Sequence, residues 1–343
     1  MAGEEEKYNP HVAMYSPPPH LEDTTWDCLL ATILILLATI SFPSNVLAFK
    51  YFWNSRKSDL ASVLYVAISV IDICISVSHL PVCSPLMNNR RPMLFNSAAF
   101  CVAWTVIFSF LMEMSTFLVL LLSVSRTIAI VFPFRRVSKN AVIAAFVLYP
   151  IINLVLDFVA YRAGITYVYG SDGPYCYELE SDYSLNQPVV KTILKISNIR
   201  STIQLGLPPI IIFLSFLICL YKLTRGHKMR SSRRLSRRAT VTISMVTGLF
   251  LACNLPYFAL YTLETVTFLA FNYPGPIFSN NFMFFYSWTV GKIIVTALNV
   301  ALNPLLYFWR MSEFRGWVLQ LHNEAVVRFS NWRDTVVHEC GKL

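Results

Sequence analysis

An all-α membrane protein, a bundle of seven transmembrane helices followed by a short interfacial eighth helix, is the fold this chain predicts. Three observations carry that expectation. Of 343 residues, 55% are hydrophobic and only 14% charged, with a mean hydropathy of +0.53. Soluble domains carry about a quarter charged residues, so the surplus apolar surface has to face lipid. Seven windows reach roughly 20 residues or more, the length that crosses a hydrocarbon core. The basic residues, finally, are divided unequally between the connections on the two sides.

A tail over residues 1–27, with Pro17-Pro18-Pro19, is too short for a folded domain. The bundle occupies 28–309, with spans expected at Cys28–Phe52, Leu60–Pro81, Ala98–Val131, Ala141–Ala160, Ser201–Leu223, Ala239–Leu269 and Met283–Phe308. Residues 310–343 hold an amphipathic helix and a cytoplasmic tail. Over Met311–Val327, Phe314, Trp317, Val318 and Leu321 recur at i, i+3, i+4 and i+7, a stripe that suits a short helix lying on the inner leaflet. No cleavable signal peptide is expected, because the first apolar run starts near Leu29 and is long enough to remain as a span. No Asn-x-Ser/Thr sequon occurs, and no internal repeat of the kind that builds two-fold transporters is visible.

Orientation follows from Lys and Arg. Arg56 and Lys57 follow the first span, Arg135, Arg136 and Lys139 the third, and Lys228, Arg230, Arg233, Arg234, Arg237 and Arg238 fill the connection from the fifth to the sixth. The opposite side carries fewer, Lys7, Arg90, Arg91, Arg162, Lys191, Lys195 and Arg200, against an acidic set that includes Glu4, Glu5, Glu6, Asp172, Glu178, Glu180 and Asp182. The positive-inside rule then puts the N-terminus outside and the C-terminus in the cytoplasm. The net charge of +9 belongs to this asymmetry and implies membrane lipid, not nucleic acid, as the partner of the basic loops.

Several polar residues sit where lipid makes them costly. The seventh span ends Asn299-Val300-Ala301-Leu302-Asn303-Pro304-Leu305-Leu306-Tyr307, and the second holds Asp72 at its centre. A proline in a span frees backbone groups that neighbours must satisfy, and a mid-membrane carboxylate marks function by default. Cys101 and Arg126 stand 25 residues apart in one apolar segment, about 37 Å of helix, so one end is extracellular and the other cytoplasmic. The outer side is oxidising. Cys176, the only cysteine in the loop between spans four and five, is the expected disulfide partner of Cys101. A free or otherwise paired Cys176 is the alternative, and a Cys28–Cys83 bridge would be a second.

Asn303-Pro304-x-x-Tyr307 closing the last of seven spans resembles the rhodopsin-like family of G-protein-coupled receptors. The resemblance implies a plasma-membrane receptor coupled to a heterotrimeric G protein, with Arg126 gating the cytoplasmic cavity and Asn303, Pro304, Tyr307 and the sixth-span Pro256 as switch residues. It also implies a small pocket for an allosteric sodium ion at Asp72, Ser115, Asn299 and Asn303, with a purely structural hydrogen-bond network as the alternative; no other cofactor is implied. The chain departs from the family pattern at several points. Ser125 replaces the acid before the arginine and Ser236 the acid some members keep on the sixth helix, so neither offers Arg126 a carboxylate. Asn254 replaces the sixth-span tryptophan, and Phe216 or Leu217 stands where a fifth-span tyrosine is usual.

No haem, nucleotide or hydrolase constellation appears, so no enzyme is expected. Phe108 occupies the position of the aminergic aspartate and Ala297 that of the opsin lysine, which argues against a monoamine and a retinal Schiff base. Phe108, Met112, Glu113, Asn254, Tyr257, Tyr261, Glu264 and Lys292 are candidate ligand contacts, with Glu178 from the outer loop. That loop, Thr166 to Glu180, alternates aromatics around a Gly-Pro turn and reads as a β-hairpin whose acids would attract a basic peptide. A small water-borne chemosensory ligand and a non-signalling decoy receptor are the alternatives.

Overall fold

A computed structural model describes residues 24–55, 60–80, 98–132, 138–164, 169–170, 173–174, 206–222, 241–256, 258–259 and 282–340. Its helices are α1 (Thr24–Asn54), α2 (Leu60–Ser78), α3 (Ala98–Val131), α4 (Lys139–Gly164), α5 (Gly206–Lys222), α6 (Val241–Pro256), α7 (Phe282–Arg310) and α8 (Ser312–Cys340). Apolar stretches of α1, α2, α3 and α7 are each long enough to cross a membrane, and α4, α5 and α6 contribute shorter ones. Each of the seven expected spans thus has its helix. Two residues of the outer loop on either side of Ser171-Asp172 pair antiparallel, Tyr169 with Pro174 and Gly170 with Gly173, the register expected of a hairpin.

The packing is inverted relative to a soluble bundle. On α4 and α5, Leu148, Ile151, Ile152, Ile210 and Leu214 are more than half exposed, while Asn45, Ser69 and Asp72 are wholly buried. Water would penalise that arrangement and lipid rewards it. The bundle is therefore a multi-pass membrane unit. Hydroxyls on its outer, lipid-facing side back-bond within their own helix: Thr32, Thr39 and Ser44 of α1 each donate to the carbonyl four residues earlier at 2.7 Å.

α3 runs through the middle of the packing. Leu118 and Leu122 join a large cluster with Phe52 and Tyr65, Val119 packs with Ile212, Phe250 and Phe258, and Leu111 with Ile75 and Val300. α4 starts at Ser138, whose hydroxyl and carbonyl accept from the amides of Ala141 and Val142. Gly248 of α6 makes room for α5, since a Cβ there would stand 3.2 Å from Cε2 of Phe216. Phe216 therefore faces α6, whereas Leu217 is exposed.

The eighth helix is a correction. The expectation was a short helix over 311–327 followed by a tail; the observed helix has 29 residues and reaches Cys340. Between Gly316 and Gly341 there is no glycine or proline to stop it, and Gln320 donates to Glu324 one turn on at 2.9 Å. It follows α7 almost without a break. Across Met311 the backbone bonds continue from Met311 N to the Tyr307 carbonyl and from Arg315 N to the Met311 carbonyl. The expected stripe is the covered side: Phe314 is buried, Leu321 half-buried, and Trp317 and Val318 pack on the cluster around Tyr51 and Phe52.

Candidate functional site

The chemistry concentrates where α1, α2 and α7 meet. Pro304 has no backbone N–H, so the carbonyl of Val300 four residues earlier loses its helical donor. Asn45 of α1 supplies one: its Nδ2 donates to the Val300 carbonyl at 3.1 Å and to the Ser41 carbonyl at 3.0 Å. Next to the proline, Asn303 Nδ2 donates to Asp72 Oδ2 at 2.9 Å, with both side chains buried. Ser76 donates to the backbone carbonyl of Asp72 at 2.7 Å and shares a 2.6 Å hydroxyl pair with Ser41. Two groups of the α7 element that is costly in lipid are thus matched, one from α1 and one from α2.

The matching leaves acceptors over. Asp72 Oδ1, Asn299 Oδ1, Asn303 Oδ1, Asn45 Oδ1 and the Ser69 hydroxyl are buried with no hydrogen-bond partner among the described residues. Ser115 is also buried, on the turn of α3 that follows Leu111, and Leu111 packs against Ile75 of α2 and Val300 of α7. Carboxylate and amide oxygens without donors suit a hard cation or water. Asp72, Ser115, Asn299 and Asn303 thus have donor chemistry that fits sodium.

Tyr307 closes α7 in an aromatic layer. It is wholly buried, edge-on to Phe52 at 5.4 Å and to Tyr65 at 5.2 Å, and Phe314 of α8 packs on Tyr51 at 5.0 Å. Edge-to-face pairs of this kind add to what area burial alone gives. Its hydroxyl has no partner among the described residues. Arg126, at the same end of the bundle, is half-buried on α3. Its neighbour Ser125 donates to the carbonyl of Leu122 at 2.9 Å, within its own helix.

Toward the Cys101 end, Phe108 is buried and Met112 half-buried on α3, and Asn254 is buried on α6 with its Nδ2 on the Phe250 carbonyl at 2.9 Å. Pro256 is the last residue of α6. Glu113 parts from this group. At about 100° per residue it lies some 140° round α3 from Phe108, on the side where Phe117 stacks on Tyr149 of α4 at 3.9 Å. Glu113 therefore looks toward α4, one turn from that stack, and away from the side of Phe108. Cys176, Glu178, Tyr257, Tyr261 and Glu264 lie outside the described residues, as do the side chains of Cys101 on α3 and Lys292 on α7.

His79, which the sequence reading passed over, belongs to the site. It is buried at the end of α2, edge-on to Phe108 at 5.7 Å, and hydrogen-bonded to the backbone of Ile293 on α7. The available signal was its helical spacing, seven residues and so two turns from Asp72.

Comparison with known proteins agrees with this geometry. The family model described as 7 transmembrane receptor (rhodopsin family) matches residues 44–307. Cysteinyl leukotriene receptor 2 of Mus musculus is 26% identical over 208 residues, which cover 60% of this chain and 62% of that receptor. The match thus spans less than two thirds of that relative's length.

Proposed function

Since the chain belongs to the rhodopsin family of seven-transmembrane receptors, we propose that it binds an extracellular peptide and activates a heterotrimeric G protein from the plasma membrane. It is a receptor and not an enzyme. The observation that carries the signalling reading is the buried 2.9 Å bond from Asn303 to Asp72. It ties the proline-broken end of α7 to α2 through a charge-bearing group that lipid would otherwise exclude. A change of α7 around Pro304 would have to break or remake that bond, so the pair is suited to report ligand binding at one end to Arg126 and Tyr307 at the other.

The basic connections support an orientation with Arg126, Tyr307 and α8 in the cytoplasm and Cys101 outside. On that orientation Phe108, Met112, Asn254 and His79 form the floor of the ligand cavity. Lys292, Tyr257, Tyr261, Glu264 and Glu178 are proposed for its walls and lid, and a Cys101–Cys176 disulfide would hold the lid over it. The hairpin pairing of Tyr169 with Pro174 supports a peptide, because a strand edge offers backbone groups that peptides pair with. One observation favours a second reading: the relative in Mus musculus is named for a cysteinyl leukotriene, and such a ligand would use the same floor. Asp72, Ser115, Asn299 and Asn303 would hold a sodium ion, which would supply the positive charge that Asp72 otherwise does without.

The test is a screen of peptides and leukotrienes on cells expressing the receptor, reading second messengers and G-protein activation at known surface level. The proposal expects at least one peptide to activate wild type and Arg126→Ala to blunt the response with surface level kept. A ligand that binds yet activates no G protein in wild type would overturn it in favour of a decoy.

A further inference from the structure

At the Arg126 end, α3, α5 and α6 are joined by hydroxyls. The Ser123 hydroxyl meets that of Thr247 at 3.0 Å, with both residues almost completely buried. Thr127 donates to the Ser123 carbonyl at 3.0 Å and approaches the carbonyl of Ser215 at 3.5 Å and Sγ of Cys219 at 3.8 Å, both on α5. Ser123 precedes Arg126 by three residues and Thr127 follows it by one. The cluster therefore brackets the arginine on the helix it shares with them. Thr247 is the part contributed by α6, and its neighbours Ile243, Val246 and Phe250 are buried as well. Ser125 takes no part, being bonded to the Leu122 carbonyl.

Resting on the receptor reading above, we propose that Ser123 and Thr247 are the closing contact of the resting state. They form a neutral clasp that holds α6 against α3 beside Arg126, at a point in the chain where neither Ser125 nor Ser236 supplies a carboxylate. A leucine pair at these positions would pack without directionality. A hydroxyl pair instead has one good geometry, and in a dry interior separating it strands two polar groups. The clasp opens only when water enters between the helices to take over those bonds. It therefore couples the position of α6 to hydration of the cavity around Arg126. It is also insensitive to ions, since neither member carries charge.

The experiment removes one hydroxyl without changing shape. Thr247→Val and Ser123→Ala should each raise ligand-independent G-protein activation about 2- to 12-fold at matched surface expression, the population change that one hydrogen bond of ordinary net strength represents. The double variant should do no more than either single one, because the two groups act as a unit, and Thr247→Ser should behave as wild type. Hydrogen exchange of the α6 amides, read on purified receptor without any G protein, should quicken by a similar factor in Thr247→Val. Unchanged exchange and unchanged basal activity would overturn the clasp. Faster exchange with no signalling from any variant would uphold the clasp and sink the receptor-signalling reading instead. As a check that needs no loss of packing, Ser123→Cys with Thr247→Cys should cross-link under mild oxidant, slow α6 exchange, and revert on reduction; failure to cross-link would overturn the contact itself.

Discussion

Around Asp72 the bundle buries more acceptors than donors, whereas around Ser123 the buried hydroxyls are already matched to one another and to backbone carbonyls. The first region is an ionisable group with amide oxygens left without donors among the described residues, an arrangement that can accept an ion or water. The second is built on uncharged hydroxyls, Ser123, Thr127 and Thr247, each of which has a partner as folded. Both lie inside a membrane bundle, where an unmatched polar group is expensive, so the difference separates two roles. A site short of donors responds to ions and to protons. A matched site responds to mechanical separation of its helices and ignores salt.

The largest expected effect concerns the aromatic layer beneath the first region. Tyr307→Ala would empty a fully buried position between Phe52 and Tyr65, and truncating a buried aromatic costs about 3–5 kcal/mol. Thermal unfolding of detergent-purified receptor should show a large fall in midpoint, with little protein reaching the surface. Tyr307→Phe should keep stability close to wild type, since the hydroxyl it removes has no partner among the described residues. A large loss in Tyr307→Phe would mean that the hydroxyl is matched after all, and the contrast between the regions would weaken.

Next in size is the ion response. If sodium sits with Asp72, Ser115, Asn299 and Asn303 and favours the resting state, raising sodium should weaken agonist binding by a coupling of about 1–3 kcal/mol. Asp72→Asn should abolish that dependence. Thr247→Val should leave it intact while raising basal activity, because the clasp has no charge to screen. Agonist titrations at low and high sodium, with choline as the control cation, separate the two. Sodium sensitivity that survives in Asp72→Asn would assign the ion elsewhere and leave Asp72 as a partner of Asn303 alone.

These regions were not equally legible in the chain. Asp72, Asn299, Asn303 and Pro304 stand out because lipid makes each of them costly, and the length of the apolar windows is enough to count seven spans. The role of Asn45 was within reach, since Pro304 designates Val300 as the carbonyl left without a donor, but spacing alone cannot say which of several buried amides serves it. Ser123 and Thr247 were not legible. Serine and threonine are ordinary in spans, each can bond back to its own helix, and a contact between residues 124 positions apart leaves no periodic trace. Glu113 was the opposite case: its angle from Phe108 follows from helix geometry, yet its charge drew it into the ligand set. The extent of α8 is not legible in its apolar stripe, which thins beyond Leu321, whereas the absence of glycine and proline up to Gly341 lets the backbone continue.

A smaller effect is expected where a charge is placed beside the neutral clasp. Ser125→Asp would replace a hydroxyl bonded to the Leu122 carbonyl with a carboxylate next to Arg126. Because Arg126 is half-buried and partly screened, the added restraint should be worth about 1 kcal/mol. Basal activation should drop several-fold, and the drop should shrink as ionic strength rises. Combined with Thr247→Val, Ser125→Asp should restore a closed resting state that is now salt-sensitive, converting the second region to the behaviour of the first. Basal activity equally low at all salt concentrations in that double variant would show that the carboxylate acts by packing and not by charge.

The smallest effect tests whether the clasp or the neighbouring helix contact sets the rest position of α6. At Gly248, next to Thr247, a Cβ would approach Cε2 of Phe216 at 3.2 Å and Cζ at 3.5 Å. Both atoms are at the far end of a half-buried side chain, so the ring can swing by a few tenths of an ångström at little cost. Against that cost, Gly→Ala in a helix interior gains about 1 kcal/mol of helix propensity. The balance favours the helix: Gly248→Ala should raise the unfolding midpoint slightly and leave basal signalling unchanged, because Thr247 of α6 keeps its contact with Ser123 of α3. If basal signalling rises instead, the α5–α6 spacing governs where α6 rests. The hydroxyl pair would then follow the helix and not hold it.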